Sequence, residues 1–443
     1  MPLNLASPGI VVREVDLTSG RVQPSSGKVG GIVAPFAKGP IDVPTLVENE
    51  NDLLNIFGEP YPTDKHYESW LVASSYLAYG GSLRVVRADD TNAKNAYVGS
   101  ASSVKIKSLD NYEDLGYDEN TITGVIVAAR NPGSWANGIK VGIIDAKADQ
   151  ILSGISTVGI SSIEVGYGVT VSLAGKVDST SGIAVSLNDS YLKGIITEIG
   201  TGSIAVKILS RVSAAGTETI VEYQQDGVYC FPETGNVGIV TSGTGVSLGS
   251  TSYTGEVDWF SQQYVTLTNS TNIQWNNIAP APGTSSYAAP RGSRFDEVHV
   301  VIIDDLGNVT GNAGTILERH LGLSKATDAE FSAGSTAYWR KYIAEGSSII
   351  FAGGAPTGLT TTGFDAGQFD LTTDNGWDQD AENVIFGSAG SNTYTLGGGL
   401  NYDGGTNLSI DGALTATLAE LKDGYDLFEN VEDIKADFLL MGS

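Results

Sequence analysis

The sequence predicts an α+β protein of several domains, and three observations carry that reading. Helical periodicity with clear stop signals occurs over residues 50–79 and returns after residue 310. Between them, residues 93–284 lose that periodicity and alternate Gly, Ser, Thr and Val with very few charges. A continuous apolar run, Glu297-Val298-His299-Val300-Val301-Ile302-Ile303-Asp304, reads as a buried strand. At 443 residues the chain is long enough for more than one domain, each with a real core.

Residues 1–23 read as an extended arm. Pro8 and Gly9 break structure, and Ile10, Val11, Val12, Arg13, Glu14 and Val15 then alternate like a strand with no hairpin partner nearby. Such a strand either completes the sheet edge of another subunit or forms an edge of its own domain. Residues 24–92 read as an α/β unit with strands over 30–35 and 44–47. A first helix is capped by Asn51 or Asp52 and runs through Phe57, with Gly58 free to take the left-handed stop. A second helix covers 65–79, with Tyr67, Trp70, Leu71, Ser74 and Leu77 on one stripe, and Gly80-Gly81 ends it before the strand of Leu83, Val85 and Val86.

Residues 93–284 read as one or two inserted β domains, barrel or sandwich, facing outward. Within them 123–129 is an apolar strand, followed by the turn-rich loop Arg130-Asn131-Pro132-Gly133-Ser134-Trp135-Ala136-Asn137-Gly138. Residues 285–443 return to mixed α and β. The pattern predicts a strand over 297–304, helices over 310–323 and 335–345, and a strand over 347–351. A last helix is capped by Asp411, carries Leu414, Leu418 and Leu421 on one face and stops at Gly424. The sequence closes on a strand, 436–442. Domains seldom stop there, so a truncated C-terminus is expected.

Composition excludes several functions. The net charge of −26 argues against nucleic acid or an anionic membrane as partner, since both require clustered Lys and Arg. A single cysteine, Cys230, rules out an internal disulfide and a cysteine-built zinc site. The three histidines, His66, His299 and His320, are too widely spaced to suggest a metal centre. No signal peptide and no membrane-length apolar run is visible. No metal or other cofactor is expected.

Three constellations invite a catalytic or metal reading and fail on context. Gly245-Val246-Ser247-Leu248-Gly249 matches the nucleophile-elbow pattern but sits among Thr, Ser and Gly without the apolar strand that the elbow needs. Asp304-Asp305 mimics a catalytic acid at a strand end, yet His320 falls in a helical pattern and no nucleophile context follows. Asp370, Asp374, Asp378, Asp380 and Glu382 form an acidic loop without the spacing that wraps one calcium ion. Trp135 reads equally as an interface anchor or as a plug for the inserted domain.

Several motifs occur in a fixed order: Ser7-Pro8-Gly9, the 51–58 helix, Tyr79-Gly80-Gly81-Ser82-Leu83-Arg84-Val85-Val86-Arg87-Ala88, and the Asn131-Pro132-Gly133-Ser134-Trp135 loop. Phe295-Asp296-Glu297-Val298, the glycine-rich 396–405 and the stretch 426–441 continue that order. Together they resemble the tail sheath proteins of contractile-tailed phages, especially the T-even-like group, over residues 1–137 and 295–443.

The resemblance implies a non-enzymatic structural subunit with a subtilisin-like α/β core, incomplete here at its C-terminus. It implies hexameric rings stacked around an inner tail tube, which contract to drive the tube through the host envelope. The implied partners are copies of itself, the tail tube protein, and the baseplate and tail terminator proteins. The implied location is the virion tail, assembled in the host bacterial cytoplasm. Residues Ile10 to Val15 would be the strand exchanged between subunits. The competing reading is a β-rich adhesin or receptor-binding tail protein, which the Ser/Thr/Gly-rich insert suggests.

Overall fold

The computed structural model describes residues 28–161, 163–165, 167–172, 189–213, 215, 217–220, 234–240, 247–254, 256–291, 295–356, 388–429 and 434–442. The chain is mixed helix and sheet, an α+β protein, and divides into two compact units. One joins residues 1–91 to 408–443, and the other holds residues 92–407.

The terminal unit is built on a four-stranded sheet. Its first strands are β1 (Val29–Ala34), β2 (Thr45–Val47) and β3 (Ser82–Arg87), with helices α1 (Glu50–Phe57) and α2 (His66–Ala78) between β2 and β3. A C-terminal helix (Leu418–Asp426) and a C-terminal strand (Phe438–Leu440) complete it. The strand order is β2, β3, β1, then the C-terminal strand. β3 and the C-terminal strand both run parallel to β1, whereas β2 is antiparallel to β3.

Alternation along β1 sorts the core into two faces. Ile32 and Ala34 meet Leu53, Phe57, Trp70, Ala73 and Leu77 of α1 and α2. Val33 turns to the other face, where it meets Phe428 and the half-buried Leu421 and Tyr425. Helices therefore cover both faces of the sheet, as a largely parallel sheet requires.

Local chemistry places the helix ends. α1 starts two residues earlier than the pattern suggests, because Asn49 is extended and its side chain accepts from the Asp52 N–H at 2.9 Å. The acids of the first turn, Glu50 and Asp52, then sit where the helix dipole favours them. The C-terminal helix is capped by Thr417, which forms a reciprocal capping box with Glu420, and not by Asp411. Gly424 does not stop it. It lies inside the helix, where a Cβ would come within 2.6 Å of Val33 Cγ1, so its role is close packing on β1.

Among the described residues the second unit contains three larger sheets, all antiparallel. β4 (Tyr97–Gly99), α3 (Leu109–Asp114), β5 (Val125–Ala129) and β6 (Lys140–Asp145) come first. β7 (Gln150–Ser153), α4 (Thr157–Ile160), β8 (Gly168–Ser172), β9 (Asp189–Gly200), β10 (Ser203–Ser213), β11 (Glu218–Ile220), β12 (Thr234–Val240), β13 (Ser247–Thr254) and β14 (Glu256–Asp258) follow. Strands β7 to β14 make one sheet in the order β13, β12, β8, β9, β10, β7, β14, with β11 on β10. A hairpin, β15 (Tyr264–Thr266) and β16 (Asn272–Gln274), leads to β17 (Glu297–Asp304) and β18 (Thr315–Ser324). The short hairpin of β19 (Glu330–Ser332) and β20 (Ser335–Thr336) is followed by α5 (Trp339–Gly346), β21 (Ile350–Ala352) and β22 (Ser391–Thr395).

β17 is buried along nearly its whole length, as its apolar run requires, and it pairs with β6 on one side and β18 on the other. β22 extends that sheet beyond β6, and β21 and β4 flank β5. The segment from Asp296 to Thr395 thus folds against residues 92–145, and only residues 408–443 return to the terminal unit.

Two helix expectations are corrected. Residues 310–323 are not helical: Thr315–Ser324 is a strand, and α5 starts at Trp339, after β20. Ile316, His320 and Leu323 imitate a helical stripe, but the open edge of β17 offers a ladder partner, and tertiary pairing overrides local preference.

Candidate functional site

No arrangement with catalytic geometry occurs among the described residues. Asp304 accepts bonds from the Val309 and Thr310 N–H groups at 3.0 and 2.7 Å, so it braces the loop after β17. Asp305 accepts from the Thr268 N–H at 2.8 Å and pairs with Lys140 at 3.4 Å. Ser247 opens strand β13 and is not on a strand-to-helix turn, while Gly245 and Val246 lie outside the described residues. Cys230, the acidic residues 370–382 and the arm residues Ile10, Val11, Val12, Arg13, Glu14 and Val15 also lie outside them. No group of three or more metal-ligating side chains occurs among the described residues.

One cluster does gather a histidine, a carboxylate and two serines. His320 Nε2 lies 2.9 Å from Glu318 Oε2, and the Ser347 and Ser348 hydroxyls each donate to Glu318 at 2.6 Å. In a hydrolytic triad the imidazole stands between nucleophile and acid. Here the carboxylate is central and the serines do not bond the imidazole. Burial pushes the Glu318 carboxyl up, but the bonds from His320, Ser347 and Ser348 outweigh it and hold it down at about 2. So weak a base does not activate a hydroxyl. The cluster clamps the turn between α5 and β21.

The arrangements that bear on function are two junctions. The first is the outer strand of the terminal sheet. Gly30, Gly31 and Ile32 of β1 pair with Phe438, Leu439 and Leu440. The pairing is closed at one end by the Val29 N–H donating to Asp437 Oδ2 at 2.8 Å, with the Asp437 N–H returning to Val29 O at 2.7 Å. Tyr425 Oη donates to Leu440 O at 2.7 Å, which ties the strand to the C-terminal helix. Asp64 strengthens the same union: its carboxylate accepts the Gly412 N–H at 2.8 Å and the Leu414 N–H at 3.0 Å. Asp64 and Lys65 both hold left-handed backbone, at φ 53° and 55°.

The second junction lies in the other unit and brings together two motifs more than 250 residues apart. The loop Asn131 to Asn137 docks on the glycine-rich segment after β22. Ser134 N–H donates to Asn401 Oδ1 at 3.0 Å. The Asn137 side chain donates to Gly399 O at 2.9 Å and accepts from Gly399 N–H at 2.8 Å. Lys94 pairs with Leu400 in both directions at 3.0 Å, and its carbonyl also accepts from the Gly133 N–H at 2.9 Å. Gly133 has a φ of 129°, which L side chains rarely adopt. A Cβ on Gly399 would lie 2.3 Å from Gly133 O, so only glycine permits this approach. Trp135 packs half-buried against the core beneath, with Nε1 donating to Asn131 O at 3.3 Å.

Over 95 residues the chain is 39% identical to the tail sheath proteins of Vibrio phage KVP40 and of Enterobacteria phage T4. The chain is similar to phage tail sheath proteins. The matched stretch is 21% of this chain and 14% of the length of each relative. A solved sheath tail protein from Listeria innocua aligns over 52% of this chain and 33% of that chain at 14% identity, with a TM-score of 0.18, too low to argue a shared fold. No protein-family model matches the chain.

Neither junction was foreseen as a contact. The Asn131–Asn137 loop and the 396–405 segment stand out in the sequence singly, but nothing local says that they meet. The return of the C-terminal strand to β1 has no local signal either. Asp64 had one weak signal, a short polar residue just ahead of a helix, where side-chain to backbone bonds are common.

Proposed function

We propose that this chain is a structural subunit of a contractile phage tail sheath. The observation that carries the reading is the 39% identity over 95 residues to two phage tail sheath proteins. Asp304 and Glu318 bond loop groups, which supports a structural role. In this reading copies of the chain form hexameric rings around an inner tube, and the stack contracts to drive the tube through the host envelope. The subtilisin-like core belongs to the proposal, as do the outward-facing β insert, residing within 93–284 as a barrel or sandwich, and the tube, baseplate and terminator contacts.

The arm residues Ile10 to Val15 would add a strand to a neighbouring copy. Each main-chain bond so formed contributes roughly 0.5–1.5 kcal/mol net and depends little on side chains. Such a link can persist while weaker contacts break and re-form during contraction.

Immunogold electron microscopy of the particles that carry this chain tests the proposal. Label along the whole tail, shortening with it on contraction, is the expected result. Label confined to the tail tip or fibres would refute it and favour an adhesin.

A further inference from the structure

Two structural demands meet at Asn137 and Gly138. The second position holds a φ of 89°, and a Cβ there would stand 2.7 Å from Leu306 Cδ1, so the fold calls for glycine. The first position bonds the Gly399 backbone in both directions, which a side-chain amide can do and a carboxylate cannot. Together they set an Asn-Gly pair in a half-buried loop. In that dipeptide no following side chain hinders attack of the main-chain nitrogen on the side-chain amide.

The attack would join the Gly138 nitrogen to Asn137 Cγ. Gly138 N–H gives up its proton, the Cγ–Nδ2 bond breaks, and the side-chain nitrogen leaves as ammonia. Water then opens the five-membered imide at either carbonyl, which gives aspartate or isoaspartate at position 137. The reaction needs no oxidant and no cofactor.

The closed junction holds all the reacting groups out of place. Gly138 N–H donates to Leu396 O at 2.9 Å. The Asn137 amide is fixed by its bonds of 2.9 and 2.8 Å to Gly399. A ψ of 129° at Asn137 turns the Gly138 nitrogen away from Cγ, whereas ring closure needs that nitrogen nearly eclipsed with Cβ. Both hydrogen-bond partners lie within residues 396–399, so the pair is freed when the loop leaves that segment.

We propose that Asn137 is a deamidation site gated by this junction, and that the reaction makes opening of the junction irreversible. Aspartate at 137 only accepts hydrogen bonds, and it sets a carboxylate oxygen against Gly399 O where Nδ2 now donates. Isoaspartate routes the main chain through Cβ and moves the Gly138 N–H off Leu396 O. Either product lacks the two-way bond that closes the loop. Neither step depends on the sheath reading.

The test is peptide mapping by mass spectrometry of the full chain held at mildly alkaline pH. Mapping separates position 137 from the other Asn-Gly pair, Asn375–Gly376. Where opening and closing outpace cyclisation, the rate follows the population of the open form. Gly399→Ala should therefore deamidate at position 137 more than about 10-fold faster than wild type, and Gly397→Ala at the wild-type rate. Asn401→Ala, which removes the acceptor of the Ser134 N–H, should also speed the reaction. Wild type in sub-denaturing urea gives the same test without a substitution: its rate at 137 should climb with urea before global unfolding. Hydrogen exchange of residues 396–401 should be more than about 10-fold faster in Asn137→Asp than in wild type. Native wild type deamidating at 137 as fast as the urea-unfolded chain would overturn the gating, as would equal rates for Gly399→Ala and Gly397→Ala. Wild-type protection of 396–401 in Asn137→Asp would overturn the irreversibility.

Discussion

Replacing Gly399 by alanine tests the junction between the Asn131–Asn137 loop and the glycine-rich segment. The added Cβ would stand 2.3 Å from Gly133 O, 2.9 Å from Asn137 Oδ1 and 3.0 Å from Ala96 Cβ. An ordinary carbon to oxygen approach is about 3.3 Å or more, so the loop must retreat by about 1 Å. That retreat breaks the two Asn137–Gly399 bonds and loosens the bond from Ser134 to Asn401. At roughly 0.5–1.5 kcal/mol each, those losses total about 1.5–4.5 kcal/mol. Overpacking adds about 1–3 kcal/mol, and because the effects share one site they are less than additive. The expected destabilisation is about 3–5 kcal/mol, read from urea unfolding followed by tryptophan fluorescence. Gly397→Ala is the matched control, since a Cβ there meets nothing within 4 Å, and it should stay within about 1 kcal/mol of wild type. Equal midpoints for Gly399→Ala and Gly397→Ala would refute the argument that the two motifs lock by close approach.

Three further outcomes are expected. Burial, with Asp64 opposing and the Arg87 charge assisting, lowers the His66 pKa from 6.5 to about 4, so the fold favours the neutral ring. Its stabilisation is complete above pH 6.5 and is lost as pH falls toward 4, by roughly 3 kcal/mol. His299, whose pKa burial also lowers, acts in the same sense in the other unit. His66→Asn keeps an acceptor for the Tyr61 N–H and should flatten the decline in urea stability of the terminal unit between pH 7 and 4. Lys325→Met removes the cation 3.2 Å from the fully buried Asp145 carboxylate, which still accepts from the Ala389 and Gly390 N–H groups, and should lower stability by about 3–5 kcal/mol in the same denaturation assay. Thr417→Ala removes the capping box of the C-terminal helix and should cost about 1 kcal/mol in thermal unfolding.

What the sequence made legible follows from where each determinant sits. α1, α2 and β17 could be read because cap, stop and periodicity lie within a dozen residues of one another. β18 was misread because its side chains satisfy a helical stripe as well as a strand, and only the vacant edge of β17, formed by residues earlier in the chain, decides between them. Gly424 was misread for a related reason. Glycine near a helix end usually signals a stop, and only the approach of Val33 reveals a packing role. The parallel pairing of β1 with Phe438–Leu440 spans 408 positions in register, and no window of sequence contains both halves.

The two junctions show why an ordered set of weak motifs carried information that no single motif did. Gly399 requires the Gly133 carbonyl where it is, and Asn137 bonds the Gly399 backbone in both directions, so each half constrains the other. The terminal strand is likewise held from several directions: by β1, by Tyr425, and through Asp64 by the segment leading into its helix. A chain that keeps these junctions keeps their residues in order, whatever the β-rich region between them does. The cross-chain ties also give the terminal unit a stake in both ends of the sequence. A load applied to the outer strand passes into β1 and the C-terminal helix through these ties. Measured by force spectroscopy, Asp64→Ala should therefore lower the force that releases residues 408–442 without lowering the force that unfolds residues 92–407.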